Sequence, residues 1–114
     1  PLTVVDWQTA IWGMPAADVA YAVALGFADP AERAARERGI VERYHEALLA
    51  TGVTGYSFAE CWDGYRRGSF SGMLMAIAPA MLVVRTERGD EMFMAMLRRA
   101  AAQVRDLDAV DLLP

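Results

Sequence analysis

Cysteine, histidine and lysine are rare or missing in this 114-residue sequence, which has one cysteine, one histidine and no lysine. The lone Cys61 excludes a disulfide within the chain, and together with His45 it is too little for a zinc site of the cysteine–histidine type. Nothing in the sequence indicates an oxidising compartment, so the cytoplasm is the expected location.

An excess of positive charge and a long hydrophobic run are also missing. The net charge is −4, which argues against a nucleic-acid partner because phosphate binding needs a basic face. The apolar run 73–84 contains Pro79 and is far shorter than the roughly 20 residues that a membrane span needs. We therefore expect no membrane span. With 55% hydrophobic and 23% charged residues, the composition is that of a globular chain with one core.

The hydrophobic pattern predicts a mainly α chain: one short N-terminal strand followed by about five helices. Leu2–Trp7 has the branched residues of a buried strand. One strand cannot satisfy its own backbone groups, and Pro1 is not an initiator methionine, so we expect sequence upstream. The remaining predictions are a loop over Thr9–Ala17 and a tail over 106–114 that packs loosely. Helices are predicted from Asp18 to Leu25, Pro30 to Thr51 (ending at Gly52), Ser57 to Arg67 and Ser69 to Val84. The last predicted helix begins near Thr86 to Asp90 and runs to about Arg105.

Most polar and sulfur-containing side chains have an ordinary structural explanation. We expect His45 to be partly exposed or hydrogen-bonded, Cys61 to be a buried inert thiol, and the methionines to fill the core. Arg66 and Arg67 are expected to form a solvated helix end, where cations favour the helix dipole. The wet face of the second helix is predicted to consist of Glu32, Arg33, Arg36, Glu37 and Arg38.

Asp6 is the best candidate for chemistry, because it ends a predicted buried strand and precedes a loop that contains Gly13 and Pro15. A carboxylate at such a strand end can hold Mg²⁺, which bridges and neutralises nucleotide phosphates. The alternative is that Asp6 only ends the strand or caps the next turn.

The stretch Val4-Val5-Asp6-Trp7-Gln8, then Gly13 and Pro15, then Asp18-Val19-Ala20-Tyr21, resembles aminoglycoside phosphotransferase-like kinases. The resemblance is strongest to the ecdysteroid kinase-like and choline kinase-like branch. It extends more weakly along the later helices, for example at Tyr65-Arg66-Arg67-Gly68 and Glu87-Arg88-Gly89-Asp90. It implies that residues 1–114 form part of the C-terminal lobe of a protein kinase-like fold, with a strand and metal loop over 1–17 and a helical subdomain over 18–114.

The resemblance also implies roles for individual residues. Asp6 would bind Mg²⁺ on the ATP phosphates, and Asp18 would accept backbone hydrogen bonds that hold the catalytic loop. Gln8 would lie beside the metal site without a defined role. In the family the C-terminal helices wall the acceptor pocket, and the residues expected there are Trp12, Trp62, Tyr65 and Met73.

The chain departs from the family because it has no residue that matches the catalytic base, the second metal-binding asparagine or the phosphate-binding lysine. Phosphoryl transfer needs these parts together, so we expect the chain alone to be inactive. The first hypothesis is a fragment of an ATP- and Mg²⁺-dependent phosphotransferase that acts on a small-molecule hydroxyl, with an apolar acceptor favoured by the aromatic and methionine content. The second is a stand-alone helical binding or interaction module derived from such a kinase. The third is an unrelated small helical protein that forms an oligomer through its methionine-rich helices. Self-association through exposed apolar surface is expected for a kinase fragment as well as for such an oligomer.

Overall fold

The structure, a computed structural model, describes Thr3, Ala10 and residues 12–114. The prediction of a mainly helical chain is confirmed. The predicted strand Leu2–Trp7 lies, apart from Thr3, outside the described residues and stays a prediction. The elements in chain order are α1 (Pro15–Gly26), α2 (Pro30–Ala50), α3 (Phe58–Gly68), α4 (Phe70–Leu82), α5 (Glu87–Asp106) and a 3₁₀ helix (Ala109–Leu112). None of these described helices combines the length and the apolar character needed to cross a membrane.

Local sequence signals set the helix ends. Asp29 caps α2 by accepting a hydrogen bond from the Ala31 amide at 2.9 Å, and Ser57 and Glu60 form the predicted capping box of α3. α2 ends at Ala50, and Gly52 follows it with a φ of +98°, a left-handed conformation that glycine adopts without strain.

α1 begins earlier than the sequence pattern predicts. Its first residue is Pro15, so the predicted loop over Thr9–Ala17 is wrong at its last three positions. The predicted boundary between metal loop and helical subdomain, at residue 17, therefore falls inside α1. A proline favours the first position of a helix because its missing N–H would have no helical partner there.

α1 lies among the other four helices and contacts each of them. Its approach to α3 is close, since a Cβ atom at Gly68 would lie only 2.5 Å from the Ala17 Cα. Any side chain at position 68 would therefore push α3 away from α1. The core between these helices contains Val41, Tyr65 and Cys61, and the prediction that Cys61 is buried is confirmed.

Two charged residues of α2 lie where the sequence pattern does not place them. Arg33 and Glu37 are only 1% and 4% exposed, so their assignment to the wet face is wrong. They continue the buried row that Val41 and His45 form at four-residue spacing. Their burial depends on polar partners from α3 and α5, which the sequence of α2 does not reveal.

The C-terminal tail is held against the helices. Leu107 and Ala109 are buried, Arg66 donates from Nε to the Leu107 carbonyl at 2.8 Å, and Arg67 donates from Nη1 to the Leu112 carbonyl at 2.8 Å. The prediction of a loose tail is wrong for the part from Leu107 to Leu112. Arg66 and Arg67 do lie in the last turn of α3, as predicted, and Arg67 is exposed, but both also bind the tail. These arginines use α3 to fix the tail that follows α5.

Candidate functional site

The residues with the strongest functional prediction are Asp6, Gln8 and Asp18, and of these three the structure describes Asp18. Asp6 and Gln8 lie outside the described residues, so their roles stay predictions. Asp18 lies in the first turn of α1, where a negative charge favours the helix dipole. Its side chain is exposed and makes no hydrogen bond to any described residue.

Asp18 borders a small pocket of about 200 Å³ at the beginning of α1. The pocket is lined by Gly13, Met14, Pro15, Ala17 and Asp18, so Asp18 supplies the carboxylate of this lining. A single carboxylate does not make a metal site. In the part of the chain that the structure describes, no three histidine, cysteine, aspartate or glutamate side chains come together to hold a metal ion.

A larger apolar groove adjoins this pocket and shares Met14 and Pro15 with it. We call it the α1–α3 groove. Its volume is about 420 Å³, within the size range of small-molecule sites. It lies between the start of α1, the end of α2 and the start of α3, and its lining is Met14, Pro15, Leu48, Val53, Tyr56 and Glu60.

Glu60 and Tyr56 are the polar side chains of the α1–α3 groove. Hydrogen bonds from the side chain and backbone of Ser57, both at 2.7 Å to Oε2, lower the pKa of Glu60. Burial, and then the nearby Cys61, raise the pKa of Tyr56 to about 12. At neutral pH the groove therefore offers one fixed negative charge and one neutral hydroxyl.

His45 fixes the loop that forms one wall of the α1–α3 groove. Its Nε2 lies 2.8 Å from the Tyr56 carbonyl, and its ring lies 5.8 Å from the Tyr56 ring and 5.7 Å from the Phe58 ring. Of the two expectations for His45, the hydrogen-bonded one describes it, since the side chain is only 9% exposed. This contact gives His45 a positioning role for the loop.

The four residues predicted to line an acceptor pocket do not line one pocket among the described residues. Trp62 and Tyr65 stack with ring centroids 5.4 Å apart, but Tyr65 is fully buried and offers no surface to a ligand. Trp12 projects into solvent, and Met73 borders a different groove beside Val104. The structure thus brings only Trp62 and Tyr65 together.

Tyr65 instead belongs to a buried polar network that connects four helices. Arg33 donates from Nη1 to Glu37 Oε2 at 2.7 Å, and from Nη2 to the Asp106 carboxylate. The Tyr65 hydroxyl donates to the same Glu37 oxygen at 3.1 Å and accepts from Gln103 Nε2 at 2.8 Å. Burial, followed by the charge of Glu37, holds the pKa of Tyr65 well above its usual range, so this hydroxyl keeps its proton.

The network positions helices and does not face a ligand. Gln103 also donates to the Ala20 carbonyl of α1 at 3.2 Å, so the network ties α1, α2, α3 and α5 together. Sequence reasoning missed it because its members are far apart in the chain. The one local signal is the four-residue spacing of Arg33 and Glu37 in line with Val41.

Comparisons of the chain with protein-family models, with curated proteins and with solved structures give no match. The basis for a function is therefore the residues of the site and the resemblance of the Asp6–Tyr21 stretch.

Proposed function

We propose that this chain is the C-terminal, mainly helical part of an ATP- and Mg²⁺-dependent phosphotransferase that acts on a hydroxyl group of a small molecule. The observation that carries the proposal is the stretch from Val4 to Gln8 followed by Asp18-Val19-Ala20-Tyr21, with twelve positions separating Asp6 from Asp18. The helical architecture that follows this stretch is consistent with the helical subdomain that the resemblance implies.

Asp6 is the residue proposed to hold Mg²⁺. When bound there, Mg²⁺ would neutralise charge on the phosphates of ATP. The described residues form no metal site of their own, so the proposal leaves the remaining ligands to the phosphates and to a catalytic loop outside this chain. Gln8 is proposed to lie beside that site.

Asp18 is proposed to hold the catalytic loop in place. Its carboxylate is exposed and makes no hydrogen bond to a described residue, which supports a role in accepting backbone N–H groups from the catalytic loop. The pocket of about 200 Å³ at the start of α1 leaves room beside it for a polypeptide backbone.

The α1–α3 groove is proposed as the acceptor site, because it shares Met14 and Pro15 with the pocket of Asp18 and is mostly apolar. An apolar body would fill it, with the Tyr56 hydroxyl and the Glu60 carboxylate available to orient a polar group. An apolar acceptor is therefore still proposed. The residues proposed to bind it are those of the α1–α3 groove, which differ from the predicted Trp12, Trp62, Tyr65 and Met73.

A second candidate function is a stand-alone helical module that binds a small molecule or a partner without catalysis. The same groove favours it, since all of its lining residues belong to this chain. The two candidates differ in the need for Asp6, because a binding module would keep its ligand after Asp6 is changed.

Phosphoryl transfer by the complete product of the native gene tests the proposal. ATP, Mg²⁺ and a panel of hydroxyl compounds are supplied, and phosphorylated product is detected by mass spectrometry. We expect Asp6→Asn to lower kcat by about a thousandfold, the scale of losing several kcal/mol of charge stabilisation. The matched control is Asp63→Asn, an aspartate that is 59% exposed on α3, which should keep full activity. Unchanged turnover in Asp6→Asn contradicts the metal assignment, and acceptor binding without transfer favours the binding module.

The acceptor assignment has its own test in the same assay. Val53 is 39% exposed in the groove and Val110 is 59% exposed elsewhere. Val53→Arg should raise KM for an apolar acceptor and leave KM for ATP unchanged, whereas Val110→Arg should change neither. Equal effects of the two variants would place the acceptor outside this groove.

A further inference from the structure

A second groove, which shares no lining residue with the Asp18 pocket, lies along the middle of α2 and contains two arginines. We call it the Arg43 groove. Its volume is about 470 Å³, which suits a small organic ligand. Its lining combines apolar and cationic residues: Phe27, Ala35, Arg36, Gly39, Ile40 and Arg43.

Gly39 forms the floor of the Arg43 groove, and helix packing does not explain a glycine there. Glycine inside a helix lowers stability relative to alanine. Yet a Cβ atom at position 39 would meet no neighbouring atom of another element, and only Arg43 Nη1 at the ordinary contact distance of 3.7 Å. Position 39 could therefore carry a side chain at no steric cost. A glycine in this place keeps the floor of the groove open.

Arg43 supplies a cation beside that floor. The 3.7 Å distance from its Nη1 to the Cβ position of residue 39 shows that its guanidinium folds back across the groove. Among the described residues it has no carboxylate within 4.0 Å and no hydrogen-bond acceptor. Arg36 is less available, because its Nη2 lies 3.0 Å from Glu32.

Phe27 and Ile40 form the apolar part of the Arg43 groove. Both are half-buried and pack against the core, so each presents part of its side chain to the groove. A ligand that suits this lining has a flat apolar body against Phe27 and Ile40 and an anionic group against Arg43. Guanidinium groups bind carboxylates and phosphates through two parallel hydrogen bonds.

We propose that the Arg43 groove is a binding site for a small aromatic or otherwise flat apolar molecule that carries a carboxylate or a phosphate. The site is separate from the proposed phosphotransferase chemistry and does not depend on it. Arg43 is the principal anion-binding residue, Arg36 contributes less because Glu32 competes for it, and Gly39 gives the ligand its space.

Titration of the ¹⁵N-labelled full chain by NMR tests the proposal with three probes of equal ring size. The probes are 2-naphthoate, 2-naphthyl phosphate and the neutral 2-naphthamide. We expect one or both anions to shift amide signals of Phe27 and residues 35–43, and to bind at least about tenfold more tightly than 2-naphthamide, the scale of a hydrogen bond to a charged group. Comparison of the two anions distinguishes a carboxylate ligand from a phosphate ligand.

Three variants separate a built site from general attraction to surface cations. Arg43→Gln should weaken binding of the preferred anion at least about tenfold, and the control Arg98→Gln, an exposed arginine on α5 without a described partner, should leave it unchanged. Gly39→Leu should abolish binding although it keeps both arginines, and its circular dichroism spectrum should show an intact helical fold. Equal affinity for 2-naphthamide, equal effects of Arg43→Gln and Arg98→Gln, or undiminished binding by Gly39→Leu would each overturn the proposal.

Discussion

α2 and α4 use their side chains in opposite ways. α2 is rich in charged residues, yet it buries Arg33 and Glu37. α4 has no charged residue, yet it exposes Leu74 and Met81 to 64% and 80%. The composition of a helix thus does not determine which of its residues are buried. The neighbouring elements decide it.

The elements that pack against α2 offer polar side chains, whereas the α4–α5 contact is made by small residues. The inner face of α2 meets Asp106 of α5 and Tyr65 of α3, and these side chains satisfy charges that would otherwise be costly to bury. Gln103 of α5 in turn donates to the Tyr65 hydroxyl. α4 instead packs through small residues, since a Cβ atom at Gly72 would lie 3.0 Å from the Ala100 Cβ. Such close backbone contact covers one face and leaves the large apolar side chains of α4 outside.

The largest effect is expected when the charge balance under α2 is broken. Glu37→Ala would remove a partner of both Arg33 and the Tyr65 hydroxyl. The buried Arg33 cation would then keep only one described carboxylate partner, the partly exposed Asp106. We expect a loss of about 3–5 kcal/mol in the free energy of unfolding, measured by urea denaturation. Glu42→Ala is the control, because Glu42 pairs with Arg38 on the exposed face and should cost no more than about 0.5 kcal/mol. Equal losses in the two variants would show that the buried network contributes no more to the free energy of unfolding than the exposed Glu42–Arg38 pair does.

A smaller loss is expected when the charges stay and only one hydroxyl is removed. Tyr65→Phe keeps the ring stacked on Trp62 but deprives Glu37 of a donor and Gln103 of an acceptor. This should lower the free energy of unfolding by about 1–2 kcal/mol, again by urea denaturation. Tyr44→Phe is matched to it, since the Tyr44 hydroxyl makes no hydrogen bond to a described residue. A neutral Tyr65→Phe would mean that packing alone holds these helices.

How much of this could be predicted differs between main chain and side chains. The capping signals at Asp29 and Ser57 are local, so the starts of α2 and α3 could be predicted within a residue or so. The start of α5 at Glu87 lies within the predicted range Thr86 to Asp90. The burial of Arg33 and Glu37 and the docking of the tail depend on residues far along the chain. A single sequence carries no direct signal for such contacts.

Alkaline pH provides a third way to disturb the region under α2 and α3. The folded pKa values of Tyr56 and Tyr65 are raised by burial above the unfolded value of 10.0. The stability that these two phenols contribute is therefore fully present below pH 10 and is lost as the pH rises through the folded pKa, about 12 for Tyr56. We expect the free energy of unfolding to fall between pH 10 and pH 12. Replacing both tyrosines by phenylalanine should flatten this decline, and an unchanged slope would assign it to other groups.

The smallest effect on stability is expected on the outer face of α4. Met81→Lys changes a side chain that is 80% exposed and should alter the free energy of unfolding by no more than about 0.5 kcal/mol. It should also reduce any self-association seen by analytical ultracentrifugation, because it interrupts the exposed apolar surface. Ala76→Lys, on the face that is only 2% exposed, should unfold the chain. Severe destabilisation by Met81→Lys would mean that α4 is covered in solution.

In the candidate site, too, some residues could be predicted from the sequence and others could not. Asp6, Gln8 and Asp18 follow from a contiguous stretch, so they could be named without a fold. The acceptor residues could not, because a groove is made by elements that meet only after folding. Leu48, Val53 and Tyr56 line the α1–α3 groove, and no sequence signal assigned them to an acceptor site.

The reading frame of the native gene around these 114 codons tests most directly whether the chain belongs to a phosphotransferase. The proposal predicts that a His-Gly-Asp sequence, followed a few residues later by asparagine, is encoded shortly before Pro1, and that a lysine-bearing nucleotide lobe is encoded before that. A start codon immediately before Pro1, or an upstream region without these residues, would contradict the proposal and leave the helical binding module as the better account.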